Sequence, residues 1–214
     1  MAKFPEPPEV KDLRVLSPQI DILLAGTEVY RIFFADGDHP TRWNQFRYFG
    51  PTASRFDHHR PGPGNVGIRQ NRGIMYLAQG PEAIPTCLAE VFQTTKVIDR
   101  HSRNPVLCGF KLMEDVPLLG LRGTFPTVMG ASMAIHSGAR PRARRWSQCI
   151  YDAYTQIHGI HYCSSMYGNE PVIALFERAV YTIPAHPIFH RTLNDRVLDN
   201  ILIGTADKIR YQLV

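Results

Sequence analysis

The chain has 214 residues, 44% of them hydrophobic and 20% charged, with a formal net charge of +5. That length buries a sizeable core and reads as one domain, and the composition argues against long disorder. No run of about 18 uncharged apolar residues occurs, which excludes a membrane-spanning helix. The start, Met1-Ala2-Lys3-Phe4-Pro5-Glu6-Pro7-Pro8, lacks the apolar core of a signal peptide, so a cytoplasmic protein is expected. Cys87, Cys108, Cys149 and Cys163 form no Cys-x-x-Cys pair and fall in apolar runs, which reads as buried free thiol. The histidine pairs 158/161 and 186/190 are interrupted by Gly159 and Pro187, so no metal site is expected. The positive balance suits a polyanionic ligand, a dinucleotide or nucleic acid. No helix-turn-helix, zinc-finger or RNP-like signature supports direct binding to nucleic acid.

In chain order, residues 1–16 read as a Pro-rich, poorly ordered arm, and 17–214 as the single domain. Ser17-Pro18 opens a predicted short helix that Gly26 stops. Val29 to Phe34 alternates as a strand, with Arg31 and Phe33 on one face. Residues 57–72 are broken by glycines and prolines and are expected to form a mobile loop. A strand at 73–78 leads through Gly80-Pro81 into a helix whose apolar stripe is Ile84, Leu88 and Val91. A strand follows at 106–112, then an irregular stretch from Pro117 to Pro141. Residues 142–158 form the clearest helix, with Gly159 as its stop. Strands are predicted at 160–163, 171–177 and 179–183, a helix from Thr192 to Leu202, and a closing strand at 209–213. Strands dominate without βαβ alternation, which gives a mixed α+β class, a compact mixed sheet with flanking helices. Gly-x-Gly-x-x-Gly is absent, so a Rossmann cofactor site is not expected.

Four segments stand out together: Tyr30-Arg31; Ser54-Arg55-Phe56-Asp57; Met75-Tyr76-Leu77-Ala78 with Leu88-Ala89-Glu90-Val91; and Tyr162-Cys163-Ser164-Ser165. In this order they resemble the RES domain, over roughly residues 28–180, and Trp146-Ser147-Gln148 resembles a segment of some members. The resemblance implies an ADP-ribosyltransferase-like fold and a toxin that consumes NAD as substrate, with no bound cofactor. It implies an Xre-type antitoxin as partner, and water, phosphate or a protein as acceptor. The chain departs from the family's usual pattern at Ser54, where glycine is common, and at Asp57, where asparagine is common. Its steps from Arg55 to Tyr76 and from Tyr76 to Glu90 are also longer than is usual.

The chemistry gives these residue types a reason. Nicotinamide leaves NAD as a neutral molecule, so no general acid need protonate it, and the demand is for a carboxylate facing the oxocarbenium-like sugar. Glu90, beside the apolar stripe, is the candidate, with a solvated helix glutamate as the plain alternative. Arg31 and Arg55 suit the pyrophosphate through paired charge-assisted bonds. Tyr76 suits the nicotinamide ring or the ribose, and Ser147 and Ser164 the ribose or phosphate. Catalytic roles thus fall to Glu90, Tyr76 and Arg55, and NAD contacts to Arg31, Ser147 and Ser164. The loop 57–72, with Arg60, Arg69 and Arg72, is expected to close over this site. NAD glycohydrolysis or phosphorolysis is the leading reading. ADP-ribose transfer to a macromolecule docked on the basic run Arg140–Arg145, or a non-enzymatic binding module, are the alternatives.

Overall fold

A computed structural model describes residues 4–214. Its architecture is mixed α+β, as the element pattern predicts, and among the described residues no helix is long and apolar enough to cross a membrane. Helix α1 (Val10–Arg14) precedes β1 (Ile20–Leu23), β2 (Glu28–Phe34), β3 (Arg47–Gly50) and β4 (Ile68–Gln79). Helix α2 (Ala83–Val91), β5 (Val97–Ile98), β6 (Pro105–Lys111) and β7 (Val116–Gly120) follow. The short α3 (Phe125–Val128) leads to the long α4 (Arg140–Ala153). The chain closes with β8 (Gly159–Cys163), β9 (Pro171–Phe176), β10 (Phe189–Thr192), α5 (Asp199–Ile209) and β11 (Gln212–Leu213).

Nine strands form one sheet in the order β1-β7-β8-β9-β4-β2-β6-β10, with β3 added on β4. Only β7 and β8 run parallel in it; β5 and β11 make a separate parallel pair. One face packs against the helices through Phe56, Leu88, Trp146, Ile150 and Leu202. The other carries Val29, Phe33, Phe110, Leu118 and Leu175. Each such fully buried side chain contributes roughly 1.5–3 kcal/mol relative to exposure. The alternation read along β2 therefore holds: Phe33 faces the second core, with the Arg31 guanidinium 5.9 Å from its ring. All four cysteines are free and buried.

The sheet opens in its middle. Strands β2 and β4 pair only at Val29–Gln79 and Tyr30–Ala78. Beyond that point β2 stays with β6 as far as Phe34, and β4 stays with β9 as far back as Ile74. The strands splay, and the gap between them becomes a cleft.

Several local expectations fail for traceable reasons. Residues 20–23 form a strand, not a helix, because they pair in register with Leu119 to Val116 of β7, and tertiary pairing overrides the serine and proline start signal. Helix α4 ends at Ala153 instead of 158. Arg178 bonds the carbonyls of Tyr151, Tyr154 and Ile157, satisfying the orphan groups of an earlier end. Reaching them bends residues 177–182 into a 3-10 turn where a strand was expected. The last helix starts at Asp199, after β10 and an Asp195 cap on the Val197 N–H (3.0 Å), so the predicted 192–202 span is shifted. The closing strand shortens to Gln212–Leu213.

The described part of the N-terminal arm lies against α4, not free in solvent. Phe4 is buried, Trp146 donates its indole N–H to the Pro5 carbonyl (2.9 Å), and Tyr154 donates to that of Leu13 (2.8 Å). Glu6 takes Arg142 (2.9 Å) and Arg145 (2.6 Å), two of the four arginines of the basic run.

Candidate functional site

The gap between β2 and β4 is a cleft of about 500 Å³, walled also by α2, the turn 52–55, Tyr162 of β8 and the first residue of α4. Arg31, Arg55, Tyr76 and Glu90 all line it, together with Arg47 and Arg140. Four arginines thus face one carboxylate. The concavity is electropositive, as a pyrophosphate-bearing ligand requires.

Glu90 stands near the end of α2, where the apolar stripe turns its carboxylate toward the cleft. Ser164 donates its hydroxyl proton to Glu90 Oε1 at 2.6 Å. The same oxygen of Ser164 accepts the N–H groups of Met166 and Tyr167, both at 3.1 Å, so the serine is fixed from behind. Gln93 donates to Glu90 Oε2 at 3.3 Å and accepts Arg140. The result is a chain Arg140–Gln93–Glu90–Ser164 that holds one carboxylate orientation. Ser164 itself is 1% exposed and does not line the cleft. Its place is to orient Glu90, in contrast to the direct ligand contact expected for it.

Arg31 is enclosed. Its Nη1 donates to the carbonyls of Trp43 and Gln45, both at 3.2 Å, while its Nε is buried without a partner. Among the described residues no carboxylate forms an ion pair with it, and desolvation pushes the guanidinium down to about 10. A half-buried cation without a counter-charge is a costly feature, and an anionic group would complete it. Arg55 donates to the carbonyls of Gly138 (2.6 Å) and Ile135 (3.5 Å); burial, then the charge of Arg140, lowers its pKa. Tyr76 carries a buried hydroxyl without a hydrogen-bond partner, and burial raises its pKa. Ser147 is placed elsewhere. It is completely buried, and its hydroxyl bonds the Phe56 carbonyl at 2.7 Å, which anchors the strand of chain after Arg55 to α4. It makes no wall of the cleft, and its hydroxyl is taken up by the Phe56 carbonyl, unlike the ligand-facing position expected for it.

Sequence reasoning missed Arg47, Gln93 and Arg140. Arg140 was visible only as part of a basic run, and residues 35–50 offered no periodic pattern from which to single out Arg47. The lid expected at 57–72 is not found over the cleft. Asp57, His58 and His59 are completely buried. Arg60 and Arg72 both bond Asp152 of α4, at 2.7 and 2.6 Å, and residues 68–72 form the first half of β4. The segment folds against the far side of α4 because Asp152 offers a carboxylate there.

Within that segment His58 stacks on Tyr151 (centroids 4.4 Å) and meets the Phe176 ring at a tilt of 56° (4.5 Å). Its nearest carboxylate oxygen, on Glu177, is 3.8 Å away, too far for a hydrogen bond, and both ring nitrogens are unpartnered. Burial pushes the imidazole down to about 4 from 6.5. The folded protein therefore holds it neutral, whereas the unfolded chain protonates it near 6.5. Stability is fully present above that value and falls as pH drops toward 4, by about 3 kcal/mol for this group. Thermal melts between pH 7.5 and 4 check this: His58→Phe should show a flatter decline of Tm than wild type. Parallel declines would contradict it.

No protein-family model and no curated protein matches the chain by sequence. Among solved structures it matches a chain of the crystal structure of the M. tuberculosis MbcT–MbcA toxin–antitoxin complex, at 12% identity and a TM-score of 0.54. The match covers 89% of this chain and 94% of that one. It establishes a similar fold over nearly the whole length of both.

Proposed function

We propose that the protein is a toxin-like enzyme that cleaves NAD at the nicotinamide–ribose bond, restrained by a cognate antitoxin, Xre-type by the family resemblance. The observation that carries this reading is the single oriented carboxylate, Glu90, in a cleft with four arginines. A cationic nicotinamide ring leaves as a neutral molecule, and the positive charge left on the ribose needs one fixed negative group beside it. Arginines at the walls suit the pyrophosphate, and the empty hydrogen bond of Tyr76 suits a ribose hydroxyl or the nicotinamide amide. The structural neighbour comes from a toxin–antitoxin complex, which supports the toxin reading and the expectation of a protein partner.

Water or phosphate is favoured as acceptor over a macromolecule. The basic run that would dock an acidic target is already occupied in part by Glu6 on Arg142 and Arg145. Incubation of the purified protein with NAD labelled in its adenine ring, with and without cell lysate, tests this. The label should appear in ADP-ribose or ADP-ribose 1″-phosphate under both conditions. Label transferred to protein or nucleic acid would instead establish the transferase reading, and unchanged NAD would leave a binding module.

A further inference from the structure

Behind the cleft lies a polar assembly that none of the expected residue roles includes. Arg47 lines the cleft from β3, at a point where the β3–β4 register shifts between Arg47 and Phe49. Such irregularities re-aim a side chain out of the regular pleat. Its side chain remains 27% exposed, while the carboxylate behind it, on Asp57, is completely buried. Asp57 accepts Arg47 Nη2 (2.9 Å), the Thr52 N–H (2.6 Å) and the Thr52 hydroxyl (2.8 Å) on one oxygen. Its other oxygen takes His59 Nδ1 at 2.5 Å and the His59 N–H at 3.2 Å. The His59 ring in turn sits against Gly50 at the end of β3, where an added Cβ would meet its Cγ at 2.6 Å.

We propose that Arg47 is an additional contact for the phosphates of the substrate and that Asp57 is the positioning residue that aims it. The inference deepens the NAD reading and rests on it. Five hydrogen bonds converge on one buried carboxylate, which holds Arg47 and the cleft-lining turn 52–55 in a single arrangement. Asp57 does not itself reach the cleft, so its effect on a ligand passes through Arg47 and that turn. Arg31 and Arg55 are braced by neutral backbone carbonyls. Arg47 likewise donates its Nη1 to a backbone carbonyl, that of Phe49, but alone among the three it adds an ionic brace, which fixes its planar fork while the remaining N–H groups are left for an anion. Burial alone would raise the Asp57 carboxyl, but His59, Arg47 and the Thr52 N–H outweigh it and hold the group ionised well below the usual carboxylate range.

Steady-state kinetics on NAD test the proposal. Arg47→Ala should raise KM at least 10-fold with kcat within about 3-fold of wild type, and Arg47→Lys should recover only part of the loss. Asp57→Asn, which keeps the shape but loses the charge, should raise KM in the same direction. The KM loss of the double variant Asp57→Asn/Arg47→Ala should be clearly less than the product of the two single losses, because the Arg47 contact is lost in both. A purely structural Asp57 would give additive losses, shared between kcat and KM, and would overturn its positioning role. Unchanged KM in Arg47→Ala, with wild type active, overturns the contact and leaves the NAD reading standing. If the alanine variant does not fold, Arg47→Lys decides through the same KM. A wild-type protein that leaves NAD intact overturns both readings together.

Discussion

Glu90→Gln is expected to lower kcat for nicotinamide release by about 100-fold or more while the protein stays folded and still binds NAD. The substitution keeps the size of the side chain and one acceptor oxygen, so Ser164 retains a partner; the longer Gln93 contact to Oε2 (3.3 Å) is lost, but Gln93 keeps its bond to the Glu90 carbonyl (2.6 Å). What disappears is the negative charge beside the developing oxocarbenium ion. In a cleft of low polarity that charge is worth several kcal/mol, and the loss falls on the transition state alone. Affinity for NAD should therefore change little. Turnover within a few-fold of wild type would remove Glu90 from the chemistry.

The second large effect separates stability from function at Arg31. Arg31→Met should raise KM for NAD by about 100-fold, the loss of a charge-assisted pair of bonds to phosphate. The same variant should melt at the wild-type temperature or above it when no ligand is present. The reason is that the half-buried guanidinium has an enclosed, unpartnered Nε and no ion-pair partner among the described residues, and is held by the carbonyls of Trp43 and Gln45. A methionine of similar length fills the space without desolvating a charge. NAD should then stabilise wild type against heat much more than it stabilises the variant. A clear drop in the ligand-free Tm, with KM unchanged, would make Arg31 a structural residue and nothing more.

Much of the candidate site was legible through the family resemblance, whose motifs single out Arg31, Tyr76 and Glu90. Periodicity supplies only their settings: Arg31 on an alternating strand, Tyr76 on a second strand and Glu90 beside a helical stripe. The structure brings these three to one cleft, with Arg55. Ser147 and Ser164 were harder, because a serine near a site is equally able to contact ligand or to brace a neighbour. Only the three-dimensional partners, the Phe56 carbonyl and Glu90, distinguish the two. The segment 57–72 misled for a related reason. Glycine and proline report where regular pairing is broken, not what the basic residues between them meet, and Asp152 lies 92 residues from Arg60 and 80 from Arg72 in sequence. Residues 20–23 became a strand through pairing with β7, again a distant partner that local signals do not carry. Local pattern fixed what each segment prefers, and long-range pairing decided where the preference was overruled.

Proton NMR of NAD incubated with the purified wild-type protein, with Glu90→Gln in parallel, tests the central claim most directly. The wild type should convert the bound-nicotinamide resonances to those of free nicotinamide, catalytically and to completion, while the variant shows about 1% of that rate or less. NAD that stays intact with folded wild-type protein, in the presence of phosphate as well as in its absence, would contradict the account.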